Sequence, residues 1–137
     1  MTYDELRKEF FIFLKWAMSC YMKARHEGLL ALEDILDSEK ISKRNIFEYG
    51  MQFVVDGYDP ELINKILSNI INQEKDEYAK TLKHIQREAA LSMQAGDNPR
   101  IFIALMLSYT DIPLDDPELN TIIADEKAGR RKQYDMR

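Results

Sequence analysis

Cysteine, glycine, proline and valine are all scarce in this sequence of 137 residues. Cys20 is the only cysteine, so the chain has no internal disulfide, and a reducing compartment fits it best. Five glycines and four prolines leave long uninterrupted stretches, which favour helices. Valine occurs only at positions 54 and 55, so runs typical of β-strands are thin. These shortages together predict an all-α protein.

Positive charge and long apolar runs are lacking as well. The net charge of -5 provides no basic surface for nucleic acid, so we predict no nucleic-acid partner. The two most apolar stretches, 10–22 and 101–109, fall short of the roughly 20 apolar residues that span a bilayer. The N-terminus is too polar for a signal peptide. We therefore expect a water-soluble, cytoplasmic protein.

Most of the chain is expected to form one helical domain, residues 1–128. Its hydrophobic content of 45% suits a single core. The last residues, 129–137, are interpreted as a flexible basic tail. The dense basic cluster that belongs to this end of the chain consists of Lys127, Arg130, Arg131, Lys132 and Arg137.

Apolar residues recur at helical spacing in five stretches. We predict helices over residues 3–37, 43–55, 60–94, 100–108 and 118–127. The expected N-caps are Thr2, Ser42, Asp59 and Asp116, and the expected glycine ends are Gly57 and Gly96. The fold class is thus all-α with four to five helices. The two long helices, 3–37 and 60–94, are predicted to run antiparallel at the centre of a small bundle.

Aromatic residues crowd the first predicted helix, and they allow two interpretations. Core packing or self-association of the helix is one of them. Contact with a membrane surface is the other, because Lys8 and Lys15 flank the aromatic side chains. Exposure of the aromatic residues in the structure distinguishes the two interpretations. The residues concerned are Phe10, Phe11, Phe13 and Trp16.

Catalytic motifs are missing from the sequence. It contains no glycine-rich phosphate loop, no nucleophile elbow and no zinc motif. The two histidines, His26 and His84, lie far apart, and a surface position is expected for each. We predict a protein that is not an enzyme and that uses no cofactor and no metal.

Two blocks, residues 24–33 and 50–61, carry the most specific signal. In the first block Arg25 and Glu33 are eight residues apart on the first predicted helix. Along one helix face they would present opposite charges to a partner. The alternative interpretation is a solvated helix face, since exposed charges need no function. The second block predicts a helix that ends at Gly57, followed by a helix that begins at Pro60.

The order of these two blocks along the chain resembles the order found in one protein family. Arg-x-Glu-Gly-Leu-Leu-Ala-Leu-Glu over residues 25–33 is followed by Val-Val-Asp-Gly-x-Asp-Pro-Glu over residues 54–61. This combination resembles the cytoplasmic domain of the MotA flagellar stator family, a MotA/TolQ/ExbB-like group. The similarity covers roughly residues 21–71. The membrane helices that flank this segment in the family are missing here, so ion conduction is not expected.

The resemblance implies a protein-binding or scaffold domain in or around the bacterial flagellar motor. The implied partners are a FliG-like rotor protein or the stator proteins MotA and MotB, at the inner-membrane side of the motor. The charged pair of the family falls on Arg25 and Glu33. Binding through such a pair should weaken with salt. A homo-oligomer is expected, because the family forms rings. The alternative is a regulatory or scaffold helical module unrelated to flagella, with peripheral membrane contact.

Overall fold

Helices provide all the regular secondary structure in residues 1–38 and 44–135, which are the residues that the computed structural model describes. For Ser38 and residues 127–135 only the backbone is described. The elements in chain order are α1 (Tyr3–Glu27), a 3-10 turn (Leu29–Ala31), α2 (Leu32–Ser38), α3 (Ile46–Val55), α4 (Pro60–Ile71), α5 (Glu77–Ala95), α6 (Pro99–Leu107) and α7 (Pro117–Asp135). The all-α prediction is confirmed. The predicted number of four to five helices is wrong, because the described ranges contain seven α-helices.

The first predicted helix, 3–37, is interrupted at Gly28. Its start is as predicted, because the Thr2 hydroxyl accepts a hydrogen bond from the backbone N–H of Glu5 at 3.1 Å. Gly28 has a φ of 92°, which glycine adopts readily because it lacks a Cβ atom. Its N–H closes the last turn of α1 by donating to the Ala24 carbonyl at 2.8 Å. The chain then continues as the 3-10 turn and α2, so no single helix spans this block.

The second long helix, predicted over residues 60–94, is also divided. The dividing segment, residues 72–76, is polar throughout and continues no apolar stripe. At its end the Asp76 carboxylate accepts the N–H of Ala79 at 2.8 Å and caps α5. The result is a helix of 12 residues and a helix of 19 residues, α4 and α5. Each of the two long helices predicted over residues 3–37 and 60–94 is therefore divided.

Helix α3 starts later than predicted. It begins at Ile46, and its N-cap is Asn45, whose Oδ1 accepts the Glu48 N–H at 2.8 Å. Glu48 completes the capping box, because its Oε1 accepts the N–H of Asn45 at 3.0 Å. The predicted cap, Ser42, lies outside the described residues.

Helix α7 begins as predicted and extends further. Asp116 Oδ1 accepts the backbone N–H of Glu118 at 2.9 Å and that of Leu119 at 3.2 Å. Asp116 Oδ2 accepts a hydrogen bond from Arg7 of α1 at 2.9 Å, which ties the start of α7 to α1. The helix continues to Asp135, beyond the predicted end near Lys127.

Two apolar clusters form the core. The smaller cluster lies between α3 and α4, and Leu29 packs against both clusters. The larger one joins α1, α2, α3, α5, α6 and the start of α7; its largest fully buried side chains are Phe10, Leu14, Tyr21, Leu32, Phe47, Met51, Ile85, Phe102 and Met106. Helix α5 holds the arrangement together, because it contacts α1, α3, α4 and α6.

The aromatic residues of α1 belong to the core. Phe10, Phe11 and Phe13 are buried, and Trp16 packs edge-on against Phe47 with ring centroids 5.4 Å apart. The membrane-contact interpretation of these side chains therefore loses its basis. None of the helices in the described ranges combines the length and the apolar character needed to cross a bilayer.

Candidate functional site

The two residues predicted from the sequence, Arg25 and Glu33, lie on either side of the Gly28 break. Arg25 is in the last turn of α1 and Glu33 is in the first turn of α2. Both side chains are exposed, as predicted. The predicted arrangement along one helix face is wrong, because Gly28 ends α1 between them. We call the surface formed by Arg25, Leu30, Glu33 and Asp34 the α1–α2 corner.

Arg25 is held by contacts within the chain. Its Nη1 donates to the Tyr21 hydroxyl at 3.2 Å and to the backbone carbonyl of Asp97 at 3.3 Å. Its guanidinium also lies 5.8 Å from the centre of the Tyr21 ring. Asp97 belongs to the connection between α5 and α6, so Arg25 links the end of α1 to that connection. Part of the hydrogen-bonding capacity of Arg25 therefore serves the fold.

Tyr21 lies directly beneath Arg25 and fixes its position. The Tyr21 side chain is buried, stacks on Phe102 with ring centroids 4.2 Å apart, and donates its hydroxyl hydrogen to the Asp97 carbonyl. Burial raises the pKa of the Tyr21 phenol, and the nearby Arg25 guanidinium opposes that rise. The hydroxyl therefore stays neutral and acts as a donor at physiological pH.

The acidic half of the corner makes fewer contacts. Glu33 and Asp34 are both exposed in the first turn of α2, where the helix dipole favours negative charge. Within the described ranges, Glu33 forms no hydrogen bond and no ion pair, so its carboxylate is not paired with Arg25. The structure thus brings a tethered cation and two exposed carboxylates to neighbouring elements.

Leu30 is the corner residue that sequence reasoning missed. It lies on the 3-10 turn between Arg25 and Glu33, and 69% of its surface is exposed. Its neighbour Leu29 is half-buried against both core clusters. The sequence feature that could have indicated an exposed leucine is the pair of consecutive leucines after Gly28. A tight turn rarely buries two adjacent side chains on one side.

A shallow groove of about 200 Å³ adjoins the corner. Apolar atoms of Ala24, Leu29 and Met93 line it, and Arg25 and Gln94 stand beside them. The Gln94 amide donates to the Tyr58 carbonyl at 2.8 Å. The groove gives the corner a small apolar recess next to its charged residues.

A second polar cluster joins α4, α5 and the end of α6. Arg87 donates to the Ser68 hydroxyl at 3.0 Å and to the Tyr109 hydroxyl at 3.2 Å, and Tyr109 donates to Glu88 at 2.9 Å. The His84 ring stacks on Tyr109 with centroids 5.9 Å apart. Burial, helped by Arg87, lowers the pKa of His84. The cluster is a hydrogen-bonded connection between helices, and His84 is half-buried rather than on the surface as predicted.

The described residues contain no group of three or more His, Cys, Asp or Glu side chains placed to hold a metal ion. Comparison with known proteins gives no family model, no curated protein and no solved structure that matches this chain.

Proposed function

We propose that this chain is a non-enzymatic protein-binding or scaffold domain that acts through the α1–α2 corner. The observation that carries the proposal is the 69% exposure of Leu30 between Arg25 and the carboxylates of α2. An exposed leucine in the midst of charged side chains offers an apolar anchor with a charged rim, which is the usual anatomy of a small protein interface.

The chemistry of the corner defines the partner. The carboxylates of Glu33 and Asp34 favour a basic patch, and Leu30 favours an apolar pocket within that patch. Arg25 contributes less to recognition than the family resemblance implies, because Tyr21 and the Asp97 carbonyl already hold it. Charge complementarity of this kind accelerates association and weakens with salt.

The resemblance of residues 25–33 and 54–61 to the MotA cytoplasmic domain supports a place in or around the bacterial flagellar motor. The proposed partners are a FliG-like rotor protein or the stator proteins MotA and MotB, reached from the cytoplasmic side of the inner membrane. In this proposal α1 and α5 run antiparallel at the centre of a small helical bundle, which presents the corner rigidly. Self-association, proposed from the same resemblance, is measurable by light scattering at several concentrations.

The test is a pull-down from motile cells with the wild-type chain and three charge-reversal variants. Glu33→Lys and Arg25→Glu alter the corner. Glu77→Lys is the matched control, since Glu77 is also exposed in the first turn of a helix. It lies at the opposite end of α5 from the connection that Arg25 contacts, roughly 28 Å away at ~1.5 Å per residue.

We expect the wild type and Glu77→Lys to recover rotor or stator proteins. We expect Glu33→Lys to lose them, Arg25→Glu to reduce them, and high salt to release them. Equal recovery by all four chains, or recovery of proteins unrelated to the motor, would contradict the proposal. The second result would favour the regulatory or scaffold module outside the flagellum.

A further inference from the structure

The polar cluster around Tyr109 connects the end of α6 to helix α5; it consists of Ser68, His84, Arg87, Glu88 and Tyr109. The Tyr109 hydroxyl accepts a hydrogen bond from Arg87 at 3.2 Å and donates one to Glu88 at 2.9 Å. The His84 ring stacks on the Tyr109 ring, with an angle of 4° between the two planes. The Tyr109 side chain is therefore held to α5 both at its hydroxyl and at its ring.

Two nitrogen atoms of this cluster are buried and have no hydrogen-bond partner in the part of the chain that the structure describes. They are Nδ1 of His84 and Nε of Arg87. A buried polar atom without a partner is unfavourable, because water would satisfy it in an exposed position. Tyr109 covers the His84 ring and bonds to the Arg87 guanidinium, so its departure from α5 would open both side chains to water. The closed arrangement thus has a built-in cost that opening would relieve.

The covered His84 ring is poorly placed to carry a positive charge. An imidazolium has a hydrogen on each ring nitrogen, so Nδ1 would become a buried donor without an acceptor. Burial, and then the cations Arg87 and Lys80 on the same helix, lower the pKa of His84, while Glu88 opposes them. The Glu88 carboxylate is already engaged, because it accepts the Tyr109 hydroxyl and lies 3.7 Å from Arg87. The closed cluster therefore favours the neutral ring.

Tyr109 and Ser68 bring neutral groups to the cluster from outside α5. Tyr109 follows α6, and burial together with Glu88 raises the pKa of its phenol. Helix α4 contributes the Ser68 hydroxyl, which accepts a hydrogen bond from Arg87 at 3.0 Å. Of the five side chains in the cluster, His84 is the one whose ordinary pKa lies between about 5 and 8. A change of charge near neutral pH would therefore begin at His84.

We propose that His84 makes the connection between α5 and the end of α6 sensitive to acid: protonation of its ring releases the Tyr109 side chain from α5 and opens the turn over residues 108–112. In the open form the imidazole is exposed and titrates near its ordinary pKa of about 6.5. The closed form is fully favoured above that pH and loses its advantage as the pH falls towards its own lower pKa. Because one proton is bound, the open population rises by at most about tenfold for each pH unit.

Hydrogen exchange of backbone amides, followed by NMR between about pH 5 and 8, measures this opening. The reporting amides are those of Thr110 and Ile112. They donate to the Leu107 carbonyl at 2.8 Å and to the Thr110 hydroxyl at 3.1 Å, so both bonds belong to the turn. The rates are corrected for the pH dependence of exchange in an unstructured chain, and amides in the middle of α3 serve as the reference.

The variants separate the titrating ring from its structural role. His84→Phe keeps an aromatic ring against Tyr109 and removes the titrating group, and His84→Gln removes it with a smaller polar side chain. His26→Gln is the matched control, because His26 is the other histidine of the chain and is exposed on α1. Tyr109→Phe removes the two hydrogen bonds of the hydroxyl and leaves His84 in place. Circular dichroism verifies the fold of each variant.

In the wild type and in His26→Gln, exchange of Thr110 and Ile112 relative to α3 should accelerate by about three- to tenfold for each pH unit below about pH 6.5. The two His84 variants should show no such acceleration. Tyr109→Phe should exchange faster than the wild type at every pH, because the turn has lost its bonds to α5. Titration of the His84 ring signals in the wild type should give a pKa below about 6.5.

Three results would overturn the proposal. The first is an acceleration in acid that persists in both His84 variants, which would assign it to another group. The second is a measured pKa of His84 at or above about 6.5, since acid would then not favour the open form. The third is an equal acceleration of the α3 amides, because the whole chain rather than the turn would then be opening.

Discussion

The contact between α3 and α5 at Gly50 permits a quantitative prediction. A Cβ atom added at Gly50 would lie 2.5 Å from the Cβ of Ala90. Carbon atoms in favourable contact are about 3.5–4.0 Å apart, so Gly50→Ala requires the two helices to separate by roughly 1 Å. Neither atom is at the end of a flexible side chain, so the backbones themselves must move.

The expected loss of stability follows from two opposing effects. Overpacking of this kind costs about 1–3 kcal/mol, and the rigid Cβ–Cβ contact places this case in the upper half. Replacing glycine by alanine within a helix gains back about 1 kcal/mol. We expect Gly50→Ala to lower the free energy of unfolding by about 1–2 kcal/mol.

Urea unfolding followed by circular dichroism measures this change, and a second substitution isolates its cause. Ala90→Gly alone should destabilise the protein by about 1 kcal/mol through helix propensity. The double variant Gly50→Ala, Ala90→Gly exchanges the two residues and removes the clash. It should be nearly as stable as the wild type, with a coupling energy of about 2 kcal/mol between the sites.

A Gly50→Ala variant as stable as the wild type, or more stable, would refute this reasoning. Helix propensity alone predicts that outcome. Additive effects of the two substitutions would refute it as well, because they would show that the sites do not touch.

Four further predictions follow from named contacts. Asp116→Asn should lose stability at neutral pH, because the hydrogen bond from Arg7 holds the pKa of Asp116 below its usual value. The ionised carboxylate contributes fully above the unfolded-state pKa of about 3.9, and its contribution disappears as the pH falls through the lower folded-state pKa. The difference in the free energy of unfolding between Asp116→Asn and the wild type, measured in urea, should therefore vanish in acid. A difference that does not change with pH would contradict this. Phe47→Ala should lower the free energy of unfolding by about 3–5 kcal/mol, because the ring is fully buried. A loss below about 1 kcal/mol would contradict the position of Phe47 in the core. Cys20, only 2% exposed, should react with a thiol reagent in urea but hardly at all in the folded protein, and equal rates would contradict its burial. Arg25→Ala should lower the free energy of unfolding by about 1 kcal/mol, because it removes the hydrogen bonds to Tyr21 and Asp97. The control Glu33→Ala should stay within about 0.5 kcal/mol of the wild type. Equal losses of stability in the two variants would contradict the difference in their contacts.

Helix ends set by a local bond between a side chain and the backbone were predictable from the sequence. Thr2, Asp59 and Asp116 cap the helices that follow them, as expected. Gly57 and Gly96 have positive φ at helix ends, also as expected. Each of these features depends on a few neighbouring residues, which is why sequence spacing reveals it.

The two interruptions of the long helices were not predictable in the same way. Gly28 lies within an apolar pattern that continues on both sides. A glycine at such a position is compatible either with a bend in one helix or with the end of a helix. The polar stretch 72–76 was visible, but only the carboxylate of Asp76 bound to the N–H of Ala79 shows that α5 starts anew. In both places the sequence is compatible with a continuous helix as well as with a divided one.

Long-range contacts account for what sequence reasoning missed in the candidate surfaces. The exposure of Arg25 and Glu33 was predictable, but the bond from Arg25 to Asp97 joins residues 72 positions apart.

The central claim is that the α1–α2 corner binds a protein of the flagellar motor. The most direct measurement is the affinity of a purified FliG-like rotor protein for the wild-type chain, Leu30→Asp, Glu33→Lys and the control Glu77→Lys, by titration calorimetry at low and high salt. The account predicts binding by the wild type and the control that weakens with salt, and about tenfold or greater loss for both corner variants. Binding that ignores Leu30→Asp and Glu33→Lys, or no binding by the wild type at low salt, would contradict it.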